Sequence, residues 1–190
     1  HAVECAKKSD YLVLTGSLPP KCPTGWYGEV LRRVHAEAPA CRVILDAEGK
    51  RFSLAVDEKP WLVKPNQYEL GLFAGRPLDT HEDILAAARA LIERGVEVVV
   101  VSMGSHGAIA VRGDEAMFVP GLKLHVVTTV GAGDSMVAGL MYGFSERDDL
   151  AWALRCGTAS AAARCVYAGP GYLDRAVFRE MLEKTKAEKL

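Results

Sequence analysis

The chain has 190 residues, 49% hydrophobic and 25% charged, enough for one domain with a sizeable core. A formal net charge of −1 gives no electrostatic footprint for nucleic acid or an anionic membrane, and no apolar run approaches the roughly 20 residues of a spanning helix. Five scattered cysteines (Cys5, Cys22, Cys41, Cys156, Cys165) form no CxxC pair and no metal-ligand spacing, so they read as reduced thiols of a cytoplasmic protein, mostly small core hydrophobes.

The first predicted strand is Tyr11–Thr15, followed by an amphipathic helix at Trp26–Ala38 with Tyr27, Val30, Leu31 and Val34 on one face. Strands follow at Arg42–Asp46 and Trp61–Lys64. His81–Arg94 is a helix carrying Ile84, Leu85, Ala88, Leu91 and Ile92, with Thr80 and Asp83 as a capping box. The strand Glu97–Ser102 is next, then a hairpin of Ile109–Val111 and Met117–Val119 through Gly113-Asp114. Beyond it the chain turns helical. Met136, Val137, Leu140, Met141 and Phe144 form an apolar stripe, while Ala138, Gly139 and Gly143 permit close packing on another face. Ala151–Val166 is rich in small residues, and Asp174 caps a last helix bearing Val177, Phe178, Met181 and Leu182. Lys184, Lys186 and Lys189 read as a solvated helix face. Continuous apolar strands alternating with helices predict an α/β fold, a mostly parallel sheet covered on both sides.

Polar residues gather at the C-terminal ends of these strands, where open α/β sheets bind ligands: Ser17 after YLVLTG, Asp46 after RVIL, Lys64 and Asn66 in WLVKPN, and Ser102 after VEVVVV. In KPNQYE, Asn66 and Glu69 suit a helix cap and equally suit Mg²⁺ held through water; both readings can hold together. Lys64, a cation ending a buried strand, is not explained by capping and suits nucleotide phosphate. The turn SMGSHG has two glycines, Gly104 and Gly107, that allow close backbone approach, though a plain turn into the hairpin explains it too. His106 reads as a polar loop residue, Asp57-Glu58 and Asp148-Asp149 as solvated, and Trp61 and Trp152 as core.

TTVGAGDSM, from Thr128 to Met136, carries the sharpest pattern. Gly131 and Gly133 permit successive N–H groups to point into one concavity at a helix N-terminus, which attracts anions. Walker spacing is absent, and Met136 stands where a dinucleotide fingerprint needs its third glycine, which argues against a redox protein. Taken alone, Asp134 is most simply a favourable charge in a helix's first turn. A static pyrophosphate site would not want it there. A phosphoryl-transfer site would, because the carboxylate accepts the proton of an incoming hydroxyl while the N–H groups stabilise the transferring group.

With these motifs in order, the whole chain resembles the ribokinase-like, PfkB-type carbohydrate kinases. TVGAGDSMVAG (Thr129 to Gly139) is similar to the family's C-terminal signature; LVKPNQYEL, TGSLPP and VVSMGSHGAIAV match in order and spacing. The resemblance implies a three-layer αβα fold and transfer from MgATP. It makes Asp134 the catalytic base and the backbone of Gly131, Ala132 and Gly133 the anion hole. Lys64, Asn66, Thr129 and the loop with Ser102, Gly104 and Gly107 would contact nucleotide; Thr158 and Ala162 would wall the adenine pocket. Asn66 and Glu69, with Asp46, would organise Mg²⁺, Ser17 would touch the sugar, and K⁺ would lie beside Thr128 and Val130.

TGSLPP with TVGAGDSM is most similar to the phosphosugar branch, implying fructose 1-phosphate as acceptor ahead of tagatose 6-phosphate or fructose 6-phosphate. Thr15 stands where Ser is usual and Lys21 where Gly often follows the prolines, and the stretch from Arg164 to Gly171 is less polar than the usual closing loop. The resemblance further implies that residues 1–190 are the nucleotide-binding and base-carrying portion of the domain. N-terminal strands, β-lid and sugar-phosphate-gripping Arg would lie outside it, and exposed apolar surface would favour homo-oligomers or association with that portion. A nucleotide-binding module without turnover is the competing reading.

Overall fold

The computed structural model describes residues 1–168 and 173–190. It divides into two compact units, His1–Val101 with Val111–Gly113, and Ser102–Ala110 with Asp114–Leu190.

The first unit begins with a short helix, α1 (Ala2–Ala6), and then alternates strands and helices: β1 (Tyr11–Thr15), α2 (Trp26–Glu37), β2 (Arg42–Asp46), α3 (Gly49–Val56), β3 (Leu62–Val63), α4 (Gln67–Ala74), α5 (His81–Glu93) and β4 (Val98–Ser102). Each neighbouring strand pair is parallel, with Leu14 opposite Leu45, Ile44 opposite Leu62, and Val63 opposite Val99. Successive side chains of a strand point to opposite faces, and Val98 to Val101 are all fully buried, so both faces of β4 are covered. That is why these strands read as unbroken apolar runs. The expected strand at Trp61–Lys64 shrinks to two residues, because beyond Val63 the chain turns through Pro65 into α4.

Two helices start where the sequence placed their caps. Asn66 Oδ1 accepts from the Glu69 N–H and the Glu69 carboxylate accepts from the Asn66 N–H, both at 2.8 Å. Thr80 and Asp83 make the same reciprocal pair at α5. At α2, Leu31 and Val34 are fully buried as the apolar spacing predicts. Lys21, which follows the prolines of TGSLPP, has φ +71°, the left-handed backbone that favours glycine.

In the second unit, β5 (Gly107–Arg112) and β6 (Glu115–Pro120) fall on the expected hairpin segments, joined by Gly113-Asp114. Then come α6 (Ala132–Glu146), α7 (Leu150–Cys165), α8 (Arg175–Lys184) and β7 (Glu188–Lys189), which pairs antiparallel with β6 through Met117 and Phe118. The small residues of α6 and α7 let these helices touch backbone to backbone. A Cβ on Gly139 would lie 2.4 Å from the Cys156 carbonyl oxygen, and one on Gly143 would lie 2.6 Å from the Ala153 Cα. Asp174 caps α8 through Ala176 and Val177, as its position predicts. The basic residues at the end correct the expectation of one helix face: Lys184 closes α8, Lys186 follows it, and Lys189 lies in β7. The helix stops because Thr185 is extended and Arg155 takes up the carbonyls of Leu182 and Thr185, each at 3.1 Å.

Cys41 and Cys156 are buried, while Cys5, Cys22 and Cys165 are partly or fully exposed, and all five are free thiols. Trp61 is buried, with the Arg42 guanidinium 4.8 Å from its ring centre; Trp152 is only half-buried and lies between Arg147 and Arg155. Of the acids expected to be merely solvated, Glu58 pairs with Arg32 at 2.9 Å and Asp149 caps α7 at the Trp152 N–H. Among the described residues no helix is long and apolar enough to cross a membrane.

Candidate functional site

In the first unit the candidate residues stand at the carboxyl ends of three parallel strands. Beyond β1, Gly16 turns with φ +80° and donates its N–H to the Asp46 carbonyl at 3.1 Å, leaving Ser17 exposed. The Tyr27 hydroxyl donates to the carbonyls of Thr15 and Gly16, at 2.8 and 3.1 Å, and so pins the turn carrying Ser17. Burial pushes the Tyr27 phenol up from its ordinary value, which keeps it a donor at neutral pH. The sequence marks Tyr27 only as an apolar helix face; its hydroxyl partners lie in another element and leave no local signal.

At the ends of β2 and β3, the Lys64 ammonium is 5% exposed and lies 3.3 Å from the Asp46 carboxylate. A buried charge without a partner costs several kcal/mol, and Asp46 supplies that partner. Asn66 and Glu69 follow on α4, their oxygens engaged in the capping box. Their donor set does not fit a directly coordinated Mg²⁺: one Asn66 oxygen and one Glu69 oxygen are committed to backbone, and Asp46 is paired with a cation. No group of three or more His, Cys, Asp or Glu residues among the described residues is arranged to hold a metal. What remains, the second carboxylate oxygen of Glu69, suits contact through water to an ion arriving with its own hydration and substrate phosphates.

In the second unit, Ser102 ends β4 and is followed by a 3₁₀ turn at Gly104–His106. Gly104 has φ +59° and open space on its Cβ side, so its backbone is approachable. Gly107 does not: a Cβ there would lie 2.0 Å from the Val119 carbonyl oxygen, so its missing side chain is used by the hairpin. His106 is exposed.

The loop before α6 leads into a helix start without a side-chain cap. Gly131 is the N-cap residue with φ +80°, and no side chain caps the helix. The Ala132 N–H donates to Thr129 and that of Ser135 to Gly131, at 3.1 and 2.9 Å. The intervening amides of Gly133 and Asp134 have no acceptor among the described residues, and both residues are exposed. Free N–H groups at the positive end of a 15-residue helix attract anions, and Asp134 stands in the same first turn. Thr128 accepts the Val130 N–H at 3.1 Å, and the Val127 and Thr128 amides donate to the Cys165 carbonyl, stitching the loop to the end of α7.

On α7, Thr158 is 7% exposed and its hydroxyl has no partner among the described residues, an orphaned polar atom that a bound ligand would satisfy. Ala162, one turn on, belongs to an apolar cluster with Ala159, Ala163 and Met181. Of the two residues expected to wall an adenine pocket, Thr158 is the polar one. Arg164, in the last turn, is 5% exposed, donates to the Tyr167 carbonyl at 2.9 Å, and has its Nε 3.4 Å from where a Cβ on Gly131 would sit. At the positions expected to flank potassium, the Thr128 hydroxyl oxygen accepts the Val130 N–H and keeps a second lone pair. In the sequence, Arg164 is only the first residue of a loop. The end of that stretch, at Gly171, lies outside the described residues.

Residues 1–175 match the pfkB family carbohydrate kinase. The chain is 36% identical to the 1-phosphofructokinase of Escherichia coli over 179 residues, 92% of this chain and 55% of that protein, and so spans about half the length of that relative. The structure of Escherichia coli phosphofructokinase-2 in complex with potassium superposes with a TM-score of 0.87 at 29% identity, covering 96% of this chain and 60% of that one. The tetrameric inhibited form of the same protein gives 0.85 at 28% identity, covering 96% and 59%. The α/β topology, the uncapped glycine turn before α6 and the match over nearly the whole chain lead to one conclusion: this chain belongs to the pfkB family of carbohydrate kinases.

Proposed function

We propose that this chain is the nucleotide-binding and base-carrying portion of an ATP-dependent phosphosugar kinase that converts fructose 1-phosphate to fructose 1,6-bisphosphate. The observation that carries the reading is the uncapped start of α6, where the free Gly133 and Asp134 amides stand beside an exposed carboxylate. An anion site alone would exclude Asp134; an acceptor hydroxyl between carboxylate and γ-phosphate accounts for both. In the reaction, the hydroxyl oxygen bonds to the γ-phosphorus as the bond to the β–γ bridging oxygen breaks. The hydroxyl proton passes to Asp134, and ADP leaves.

The other residues take supporting roles. The backbone of Gly131, Ala132 and Gly133 holds the phosphoryl oxygens, with Thr129, Ser102 and Gly104 alongside the nucleotide; Gly107 shapes the turn. Thr158 gives its orphaned hydroxyl to the purine or ribose. Lys64 offers phosphate the ammonium protons that Asp46 does not use, and Ser17 meets the sugar. Mg²⁺, when bound with ATP, neutralises phosphate charge; Asn66 and Glu69 contribute through water, and Asp46 by holding Lys64. The name of the Escherichia coli relative supports fructose 1-phosphate. Likeness to phosphofructokinase-2 favours fructose 6-phosphate as the second reading, with tagatose 6-phosphate as the third acceptor to test.

Such a kinase works in the cytoplasm, in keeping with the free thiols of this chain. It also has the chain associate with further copies or with the remainder of such a kinase. The exposed Val126, Val127, Val130 and Tyr142, and the tetramer of the phosphofructokinase-2 relative, support that. Measuring ADP release with each of the three ketohexose phosphates tests the assignment. Release dependent on fructose 1-phosphate supports it; release dependent on fructose 6-phosphate alone transfers it to the second reading; nucleotide binding without sugar-dependent release reduces the chain to a binding module.

A further inference from the structure

We infer that Tyr27 is a positioning residue for the acceptor: its hydroxyl holds the turn that presents Ser17, and with that turn held the chain binds a ketohexose phosphate more tightly. The inference rests on the kinase reading above, in which Ser17 meets the sugar, and deepens it.

Gly16 is the joint of that turn. Its φ of +80° lies in the left-handed region, and a Cβ built on it would have no neighbour within 4 Å, so no packing keeps the residue in this conformation. Two hydrogen-bonded contacts hold it there. On one side the Gly16 N–H donates to the Asp46 carbonyl at 3.1 Å, just past the last β1–β2 pair, Thr15 with Asp46. On the other, the single proton of the Tyr27 hydroxyl is shared between the carbonyls of Thr15 and Gly16, at 2.8 and 3.1 Å.

Tyr27 is itself fixed. It is 7% exposed, sits in the first turn of α2, and shares the buried face of that helix with Val30, Leu31 and Val34. Its hydroxyl is therefore presented from a packed element to a segment that has no packing of its own. A turn jointed on an unrestrained glycine samples many backbone conformations, and a ligand that needs one of them bears the ordering cost when it binds. Holding Gly16 in advance removes that cost from the acceptor. Both acceptors of the Tyr27 proton belong to the β1 turn, so loss of the hydroxyl leaves the Lys64–Asp46 pair and the loop before α6 as they are.

The test is a comparison of ligands. Binding of fructose 1-phosphate, fructose 6-phosphate, tagatose 6-phosphate and MgATP to the purified chain is measured by calorimetry, for the wild type and for Tyr27→Phe, which keeps the ring and removes the hydroxyl. Affinity for whichever ketohexose phosphate the wild type binds should fall by about five- to thirty-fold, the worth of ordering one residue's backbone. MgATP affinity should stay within about two-fold, because its contacts lie elsewhere. Amide exchange followed by NMR reads the turn itself: the Gly16 amide should be protected in the wild type and exchange faster in Tyr27→Phe.

Unchanged acceptor affinity in a folded Tyr27→Phe overturns the inference and leaves the kinase reading standing. So does an equal weakening of acceptor and MgATP, which marks a structural role. A wild-type Gly16 amide that exchanges as fast as an unbonded one overturns it too, whether or not the variant folds. A wild-type chain that binds MgATP and none of the three sugars overturns the inference together with the acceptor half of the kinase reading. A folded wild-type chain that binds neither MgATP nor sugar overturns both entirely.

Discussion

At the start of α4, Asn66 and Glu69 exchange hydrogen bonds with each other's backbone at 2.8 Å, and the Lys64 that precedes them is closed by Asp46. At the start of α6 the N-cap is Gly131, nothing caps the helix, and Asp134 in the first turn is exposed. Both segments follow the same plan, a polar cluster leading into a helix N-terminus, and in one of them the polar groups satisfy each other. A closed cluster accounts for itself through stability, since every buried polar atom removed from water has a partner. An open one is unfinished without a ligand. The two clusters should therefore respond oppositely to mutation: the open one in activity, the closed one in stability.

The largest effect expected is at the open end. Asp134→Asn preserves shape and removes the proton acceptor, so kcat should fall by about 10²–10⁴-fold, the usual worth of a positioned general base. MgATP affinity should stay within a few-fold, and thermal unfolding should move little, as for other exposed substitutions, within about 0.5 kcal/mol. A variant that loses stability and nucleotide together would make Asp134 a structural charge at a helix terminus and erase the contrast.

At the closed end the order reverses. Asp46→Ala strands a buried ammonium, and denaturant unfolding should register a loss of about 3–5 kcal/mol, the cost of breaking a buried pair from one side. Replacing both partners, Asp46→Ala with Lys64→Met, should recover much of that loss, because no unpaired charge remains. Nucleotide affinity separates the roles: if Lys64 also reaches phosphate, the double variant is stable yet binds MgATP weakly. Full affinity in the double variant would confine the pair to stability.

How far the sequence reveals these clusters follows from the range of the interactions that build them. The caps at Asn66, Thr80 and Asp174 are visible because a cap and its target lie within three residues, and β2 and β4 because burial on both faces writes itself as unbroken apolar runs. The helix α3 is less visible. Gly49–Val56 is eight residues long, lacks a side-chain cap and buries only Phe52, Ala55 and Val56, too few turns to establish a period. The strand β7 is two exposed residues whose pairing with Met117 and Phe118 exists only through the fold. The Tyr27 hydroxyl escapes local reading for the same reason: it acts on the backbone of Thr15 and Gly16, in another element. The glycines of α6 are legible as close-packing residues, but that Gly139 faces the Cys156 carbonyl is a fact of tertiary structure.

A smaller effect separates capping from metal binding. Asn66→Ala should cost about 1 kcal/mol in thermal or denaturant unfolding, the ordinary worth of an N-cap. Thr80→Ala removes the same kind of cap from α5 and should cost a similar amount. If Asn66 also positions Mg²⁺ through water, its variant alone will need more Mg²⁺ for half-maximal ATP binding. Equal Mg²⁺ dependence in both variants would leave Asn66 as a cap and nothing further.

The smallest effect concerns Asp83, the acid of the α5 box. The Arg76 guanidinium beside it, together with the Thr80 hydroxyl, holds its carboxyl below the ordinary value of 3.8. The folded protein therefore releases this proton more readily than the unfolded chain does. Its contribution to stability is fully present above 3.8 and fades as pH falls through the lower folded value. Asp83→Asn should lower the melting temperature slightly at neutral pH, and the gap to the parent should close in acid. Salt should narrow it too, because the ion pair with Arg76 is exposed to solvent. A gap that persists unchanged through acid and salt would mean that the hydrogen bonds with Thr80 carry the effect and the charge does not. The box at α5 would then rest on its hydrogen bonds and not on its ion pair.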